Sequence, residues 1–587
     1  MKKGTFVEKI LNAPAGSIVY AEPDIVLSHD NSARVQKLFE KIKGQTLLKP
    51  ESLIVVLDRK MTGTTDELMH DYNSIRDFME EQNVERFFDC DKGICHQVLT
   101  EYLKEGLIVV GSDSHTCTAG AFNCFAVGLN KTETAYLWKN GKMWFRVPET
   151  IKINLTGKLR EGVYAKDLAL WIMGVLREEF VDYKAIEYHG EGVSSLSVAD
   201  RMTVANVSAE MGVKNSVFPP DDVLADYFGD YAVKGVWAEE DAGYCQEFTV
   251  DLKEVFPLVM ATHHHNDVKG VDEYKDLDVQ QGLIGSCSNG RIEDLRVVAR
   301  ILKGKKIAPG FQLFIVPGSR DIYIQAIEEG LVDVMVKAGA SILGASCSPC
   351  LGSSHVIQAD TKRFITTTNS HSMNRMADMG VEKYIASPAT VAKTALKGKL
   401  DSEKDYAGEV YRYWGNPVEP VRIDTFDNRR HGHVWNYSDV NYISCKQIFP
   451  DKLTYKIAIE DGKAMQPYLL SGLDEHFALR MQSGDVIIAG ECFGCGRLIK
   501  HSVIGLLSAG IKTVVVKSAS RNFFRMAVNS GLAVIIAPQI VEAYVPGDLV
   551  IFDTENNSVL LNGKEFKLPD VAPIVKEIIK KRGLVNL

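Results

Sequence analysis

The residues whose type and spacing point most directly to chemistry are three cysteines. Cys287 lies in GSCSNGR (285–291), and Cys347 and Cys350 lie in ASCSPCLGSS (345–354). By default a cysteine is a core residue, and one C-x-x-C is weak evidence for a metal. The context adds to it: both segments are rich in Gly and Ser, which lets backbone N–H groups approach sulfur. A [4Fe–4S] cube takes four ligands, so three protein thiolates leave one iron open to water or substrate. An open iron acts as a Lewis acid on a hydroxyl or carboxylate oxygen. Zinc is the rival metal, but a structural zinc site takes four protein ligands, usually from two paired knuckles. Here there is one pair and a distant single.

The elements that must position these residues follow from pattern. Short apolar runs ending in Gly/Ser/Asn loops alternate with amphipathic helical stretches, as in LIVVGSDSHT (107–116), LFIVPGS (313–319) and SILGAS (341–346). KTVVVKSAS followed by RNFFRMAVNSG (512–531) repeats the theme. Alternation of this kind predicts α/β layers with mostly parallel strands. In such sheets ligands collect at the loops beyond the carboxyl ends of the strands, which is where the cysteines fall.

The chain has 587 residues, which predicts three to five domains. Its hydrophobic content of 45% and charged content of 24% are those of a soluble globular protein. A formal net charge of −9 argues against a dedicated nucleic-acid binder. The N-terminal MKKGTFVEKILNAPAGS has no continuous apolar region, and no apolar stretch is long enough to span a membrane. The count of 11 cysteines is odd and, without an export signal, fits a reducing cytoplasm. A polar, period-free stretch at 399–432 predicts a long connection between a large unit, 1–398, and a smaller one, 430–587, with the linker at 399–429. The tract His263–His265, in THHHND, reads as a surface or hinge loop.

Taken in order, GICHQV (93–98), GSDSHTCTAG (111–120), EYHGEGV (187–193), GSCSNGR, CSPCLG (347–352) and FGCG (493–496) resemble the aconitase superfamily. The 3-isopropylmalate dehydratase and homoaconitase branch is the most similar, with large and small subunits joined in one chain. The resemblance implies a multi-domain α/β fold. Three α/β domains would surround a [4Fe–4S] cluster held by Cys287, Cys347 and Cys350, with a C-terminal swivelling β/α domain. It implies a hydro-lyase that reversibly dehydrates a small hydroxy carboxylic acid. His96, Asp113, Ser114, His115 and Glu187 match its catalytic positions, and Asp30 and Asp58 match acidic positions near the site. A carboxylate beside an imidazole fixes the tautomer and raises basicity, and an imidazolium can protonate a departing hydroxide.

The departures from the family pattern lie in the substrate site. Where the family reads F-G-C-G-S-S-R-E-H, this chain reads FGCGRLIKH, so Arg497 stands in place of the serine base. An arginine stays protonated and cannot readily serve as a base. The family's Asp-His becomes Asp58–Arg59. Its N-R-N-F-x-G-R clamp becomes Asn369 to Arg375, keeping only the last arginine, and its T-D-x-I becomes Cys445 to Ile448. Asp58, Arg59, Arg375 and Arg497 are therefore the expected substrate contacts, and the substrate expected is not citrate, homocitrate or isopropylmalate. His115, His501, Tyr442 and Lys500 are candidates for the base. Cys492 and Cys495 form a further C-x-x-C, read as structural thiols. A different cluster-dependent lyase or isomerase on the same platform is the alternative, followed by a cluster-sensing RNA-binding regulator. The expected partner is a small anionic carboxylate, with no membrane, no nucleic acid and no separate small subunit.

Overall fold

The computed structural model describes residues 4–58, 66–90, 92–176, 181–229, 235–261, 268–347, 361–369, 381–406, 408, 410, 422–423, 429–431, 433–454, 456–496, 499–553 and 557–587. Arg59, Cys350, Arg375, Arg497 and the tract His263–His265 lie outside the described residues. The chain divides into two compact units. One holds Met1–Arg177 and Lys184–Gly415, the other Glu178–Tyr183 and Asn416–Leu587.

Among the described residues, the first unit contains three larger α/β sheets and a two-stranded antiparallel ribbon, Ile18–Ala21 with Met143–Arg146. In the first, all strands are parallel, in the order Arg86–Phe88, Leu53–Val56, Ile25–His29, Ile108–Gly111, Phe125–Gly128. The chain winds outward in one direction from Ile25–His29 and in the other from Ile108–Gly111. The loops leaving these two neighbours therefore diverge and open a crevice at their carboxyl ends. His29 ends one of the two strands, and Asp113 follows the other by two residues. The second sheet is also parallel, in the order Asn215–Val217, Ala185–His189, Thr150–Thr156, Gln246–Asp251.

The third sheet has seven strands, five of them a parallel run: Glu382–Ala386, Arg363–Thr366, Gln281–Gly285, Gln312–Val316, Ser341–Ile342. Its order reverses between Gln281–Gly285 and Arg363–Thr366. The first of these leads straight into Ser286 and Cys287, the second into Thr367 and Asn369. The helix Ile292–Leu302 covers this sheet because Ile292, Leu295, Val298, Ala299 and Leu302 recur at three- and four-residue spacing and are all buried. The apolar run in SILGAS gives only the two-residue strand Ser341–Ile342. It sits at the edge of the sheet, where pairing on one side stops early.

The second unit has a five-stranded sheet in the order Arg430–His431, Val434–Tyr437, Val486–Ala489, Thr513–Val516, Ala533–Ile536, parallel apart from the first pair. A three-stranded antiparallel meander, Val550–Asp553, Ser558–Leu561 and Lys564–Lys567, comes after it in the chain. Its core is its own, built on Trp435, Phe449, Phe477, Val514 and Phe523. Each such side chain contributes about 1.5–3 kcal/mol on burial.

One ion pair braces the approach to the chemistry of the first sheet. Arg76, on the helix Asp66–Glu81, grips Asp89 with both fork nitrogens, at 2.8 and 2.9 Å. Asp89 directly follows the edge strand Arg86–Phe88 and precedes the GICHQV loop. The hydrogen bond from Arg76 holds the Asp89 carboxyl at about 2, down from 3.8. Both side chains are a third or more exposed, so solvent screening leaves about 0.5–1 kcal/mol. A carboxyl with a depressed pKa stabilises above its unfolded value and loses that contribution as pH falls through its folded value. Asp89→Asn is thus expected to lower stability by about 0.5–1 kcal/mol at pH 7, with the difference vanishing as the pH approaches about 2. Urea unfolding across that range measures it.

Candidate active site

Asp113 is the hub of the first sheet's crevice. Its Oδ1 lies 2.9 Å from His96 Nε2 and 3.2 Å from His115 Nδ1, and it accepts the His115 backbone N–H at 2.9 Å. A third imidazole, His29, has Nε2 3.9 Å from Asp113 Oδ2 and Nδ1 3.9 Å from Asp30 Oδ2. The other ring nitrogen of His115 meets the Glu210 carboxylate at 3.1 Å. Burial alone pulls the His115 imidazole down, but the hydrogen bonds to Asp113 and Glu210 outweigh it and hold the ring well above its ordinary value. His115 is therefore held as a cation between two carboxylates. Ser114, next to it, is exposed at the start of the 3-10 segment Ser114–Phe122.

Asp58 joins the parts together rather than standing in the open. Its carboxylate accepts the Cys95 N–H at 2.8 Å, at the start of the turn that carries His96. Its backbone carbonyl accepts both the Cys347 N–H at 2.8 Å and the Ser346 hydroxyl at 2.9 Å. One residue thus ties a cysteine-bearing loop to a histidine-bearing turn. Two glycines make these close approaches possible. Gly93 has φ +138°, and a Cβ there would fall 2.5 Å from Ser319 Cα. Gly285, ahead of Cys287, has φ +141°, and a Cβ there would fall 2.3 Å from the Val316 carbonyl oxygen. Ser286 between Gly285 and Cys287 also has a positive φ, 75°, which is strain held at a functional turn.

The donor set fits an iron–sulfur group. Burial raises the Cys287 thiol, and the neighbouring Cys347 raises it further, while His115 and a hydrogen bond from Asn206 favour its thiolate. Cys287 is thus within electrostatic reach of Cys347, a second of the three expected thiols. Arg291 steadies the same turn by donating to the Cys287 carbonyl at 3.0 Å.

Glu187 is placed elsewhere. Fully buried in the strand Ala185–His189, it accepts the Phe6 N–H at 2.7 Å and the Tyr244 hydroxyl at 2.9 Å, and lies 3.1 Å from His189. None of these partners belongs to the Asp113 network. The carboxylate on His115 is Glu210, in VSAEMG, which sequence reasoning misses. A signal for it is present: an acidic residue in the mostly small and apolar run Val204–Met211 is an expensive one to bury without a partner. Sequence reasoning misses His29 and Asn206 as well. Both sit at the ends of apolar runs, where a lone polar residue reads as ordinary.

In the second unit, the His501 Nε2 lies 3.0 Å from the Ile457 carbonyl and so carries a proton that it donates there. The ring stacks on Phe449 at 5.3 Å. Lys500 is exposed at the first turn of the helix Lys500–Ser508, and Tyr442 is half-buried. Cys495 donates its S–H to the Tyr442 carbonyl, and Cys492 has its backbone N–H on Ser518 Oγ.

Paired imidazoles and carboxylates beside neighbouring thiols are the equipment of a metal-assisted acid–base enzyme on an α/β scaffold. The comparisons with known proteins agree. The model of the aconitase family (aconitate hydratase) matches residues 8–276 and 259–398. The 3-isopropylmalate dehydratase large subunit 1 of Methanopyrus kandleri is 38% identical over 415 residues, 68% of this chain and 99% of that protein. The probable methanogen homoaconitase large subunit of Methanosarcina mazei is 36% identical over 386 residues, 65% of this chain and 98% of that protein. A crystal structure of 3-isopropylmalate dehydratase from Methanocaldococcus jannaschii is 31% identical, with a TM-score of 0.24. It covers 27% of this chain and 89% of that one. The chain belongs to the aconitase family. It is a hydro-lyase of that family, and its cofactor is a [4Fe–4S] cluster. No helix among the described residues is long and apolar enough to cross a membrane.

The two glutamates separate by experiment. Glu210→Gln is expected to lower kcat by roughly 10²–10⁴-fold with the cluster retained. Glu187→Gln is expected to leave kcat near wild type and to cost about 1–3 kcal/mol of stability by loosening the Phe6 anchor. Steady-state kinetics beside thermal unfolding distinguishes them, and the reverse pattern would return the catalytic role to Glu187.

Proposed function

We propose that the protein reversibly dehydrates a small hydroxy carboxylic acid other than citrate, homocitrate or isopropylmalate, using a cluster held by Cys287, Cys347 and Cys350. When bound, such a cluster supplies a Lewis-acidic iron for the hydroxyl and carboxylate oxygens of the acid. The observation that carries the acid–base half of this reading is His115 between Asp113 and Glu210. Held as a cation, His115 is suited to giving a proton to the departing hydroxyl oxygen. Asp113 also fixes His96 through Nε2, and the His96–Asp113 pair keeps one tautomer and one ring orientation through the cycle. His29 adds a third ring on the same carboxylate, and Glu210 takes the part that the sequence assigned to Glu187. Asp58 acts as a strut between Cys347 and the His96 turn, in addition to any contact it makes with substrate.

The base that removes the proton α to a carboxylate is not the serine of the family pattern, because Arg497 occupies its place. His501 is unsuited, since one ring nitrogen already serves the Ile457 carbonyl and the ring is packed on Phe449. His115 is unsuited because it begins the cycle protonated. Tyr442 and Lys500 remain as the base candidates in the second unit. Arg59, Arg375 and Arg497 are proposed to receive the substrate carboxylates, as arginine forks do. A clamp changed at several arginine positions is what supports a different acid.

The second unit is proposed to stand in for a separate small subunit, with residues 1–398 as the large-subunit-like region, 399–429 as linker and 430–587 as the small-subunit-like domain. The family match ends at 398, and the second unit builds a sheet and core of its own. A cytoplasmic location is proposed with it: none of the ten described cysteines is in a disulfide.

The test is a screen of hydroxy di- and tricarboxylates with anaerobic, cluster-loaded protein in ¹⁸O-labelled water. The expected result is label entering the hydroxyl of one acid outside the three named. Rapid turnover of citrate, homocitrate or isopropylmalate would refute the substrate assignment while leaving the reaction class intact.

A further inference from the structure

Two lysines are buried behind the Cys287 turn, and the acid–base reading uses neither. Lys166, on the helix Ala165–Val175, and Lys383, on the strand Glu382–Ala386, are each 1% exposed. Burying a cation is costly unless it is fully hydrogen-bonded and meets an opposite charge.

The hydrogen bonds of Lys166 define its state. Its Nζ lies 2.8 Å from Ser288 Oγ, 2.9 Å from the Thr367 carbonyl and 3.4 Å from Asn369 Oδ1. Each of these must accept. The Thr367 carbonyl can do nothing else. The Ser288 hydroxyl proton is already given to Asn289 Oδ1 at 3.0 Å. The Asn369 amide nitrogen donates to Asn206 Oδ1 at 2.7 Å, which leaves its oxygen facing Lys166. Three acceptors around one nitrogen call for three N–H donors, and only the ammonium form has them. Burial works against this form, drawing Lys166 down to about 7, with Glu210 and Cys287 pushing the other way.

The bonds continue beyond Asn369. Asn206 accepts from Asn369, and its own amide donates to Thr118 Oγ1 at 2.8 Å. A directed chain therefore runs from the Lys166 ammonium through two amides, every link donating the same way, while the same ammonium holds Ser288, the residue after Cys287. Such chains polarise link by link. Lys383 acts on the same relay from the other side, donating from Nζ to the Asn369 carbonyl at 3.3 Å.

We propose that Lys166, backed by Lys383, is the buried counter-charge of the iron–sulfur cluster, seated against Ser288 beside Cys287 to retain the cluster and set its reduction potential. The inference rests on the cluster assignment under the proposed function. Three thiolates around a [4Fe–4S]²⁺ core carry a net negative charge, and one further electron deepens it, so a fixed cation nearby favours the reduced state. Both lysines are positioning residues, and both reach the site through Asn369. The helix Ala165–Val175 thereby links the second sheet's layer electrically to the third sheet's cysteine turn.

The experiment is an anaerobic EPR-monitored redox titration of reconstituted full-length protein, beside the rate of cluster bleaching in air and thermal unfolding of the apoprotein. The expected result is a shift of the cluster couple to lower potential in Lys166→Met, with bleaching several-fold faster, and a smaller shift of the same sign in Lys383→Met. A folded, cluster-loaded Lys166→Met whose potential and bleaching rate match wild type, with only apoprotein stability lowered, overturns the proposal. Should Lys166→Met fail to take up iron, Lys383→Met decides it, and an unshifted potential there overturns it equally. The wild-type spectrum stands apart from these outcomes: absence of a cluster signal there would remove the cluster assignment itself.

Discussion

The Asp113 carboxylate is the constraint on which the rest of the site depends. It orients His96 and His115 at once and lies near His29, so three rings from three separate stretches of chain are referred to one pair of oxygens. The strand Ile108–Gly111 delivers Asp113 to the place where the sheet order reverses, and the strand Ile25–His29 delivers His29 to the same place. A doubly wound sheet has one such crevice because the loops on either side of it leave in opposite directions. The third sheet repeats the device, and its reversal presents Cys287 and Asn369. Under the proposed function, two switch points supply the two halves of the chemistry, proton transfer from one and metal ligation from the other.

Charge is handled by pairing throughout the first unit. His115 would lose its proton if burial acted alone, and it keeps it because two carboxylates flank it. Lys166 lies under the same influence, with three acceptors and no carboxylate in direct contact among its described hydrogen bonds. Asp58 gives one carboxylate oxygen to the Cys95 N–H and its backbone carbonyl to the Cys347 N–H and a serine hydroxyl, which makes it a joint between loops. A buried polar group in this protein is thus either a joint or a reagent, and its partners say which.

Motif order made much of the fold legible. Apolar runs ending in small residues marked the strands Ile108–Gly111, Gln312–Val316 and Thr513–Val516, because a strand covered on both faces has little choice but Val, Ile and Leu. The Cys287 turn was legible for a similar reason, as it required Gly285 where a Cβ would collide with the Val316 carbonyl. Glu187 and Glu210 show where this stops. Both are buried acids near the end of an apolar element, 23 positions apart by subtraction of their sequence numbers. Local pattern favours Glu187, with His189 two residues on, yet that pair is used to anchor Phe6 and Tyr244.

By itself, then, the sequence determined the layered α/β class and the aconitase family, because strand burial and an ordered set of motifs restrict residue type at each position on its own. It also determined that Arg497 cannot be the family's base, since that follows from the chemistry of one side chain. Only the tertiary structure decided which carboxylate meets His115, that Asp58 joins Cys347 to the His96 turn, and that Lys166 packs on Ser288 beside Cys287. Those are relations between residues tens to hundreds of positions apart. A hydrogen bond depends on distances of a few tenths of an ångström, and local sequence pattern sets no such distance between remote elements until the sheets have packed.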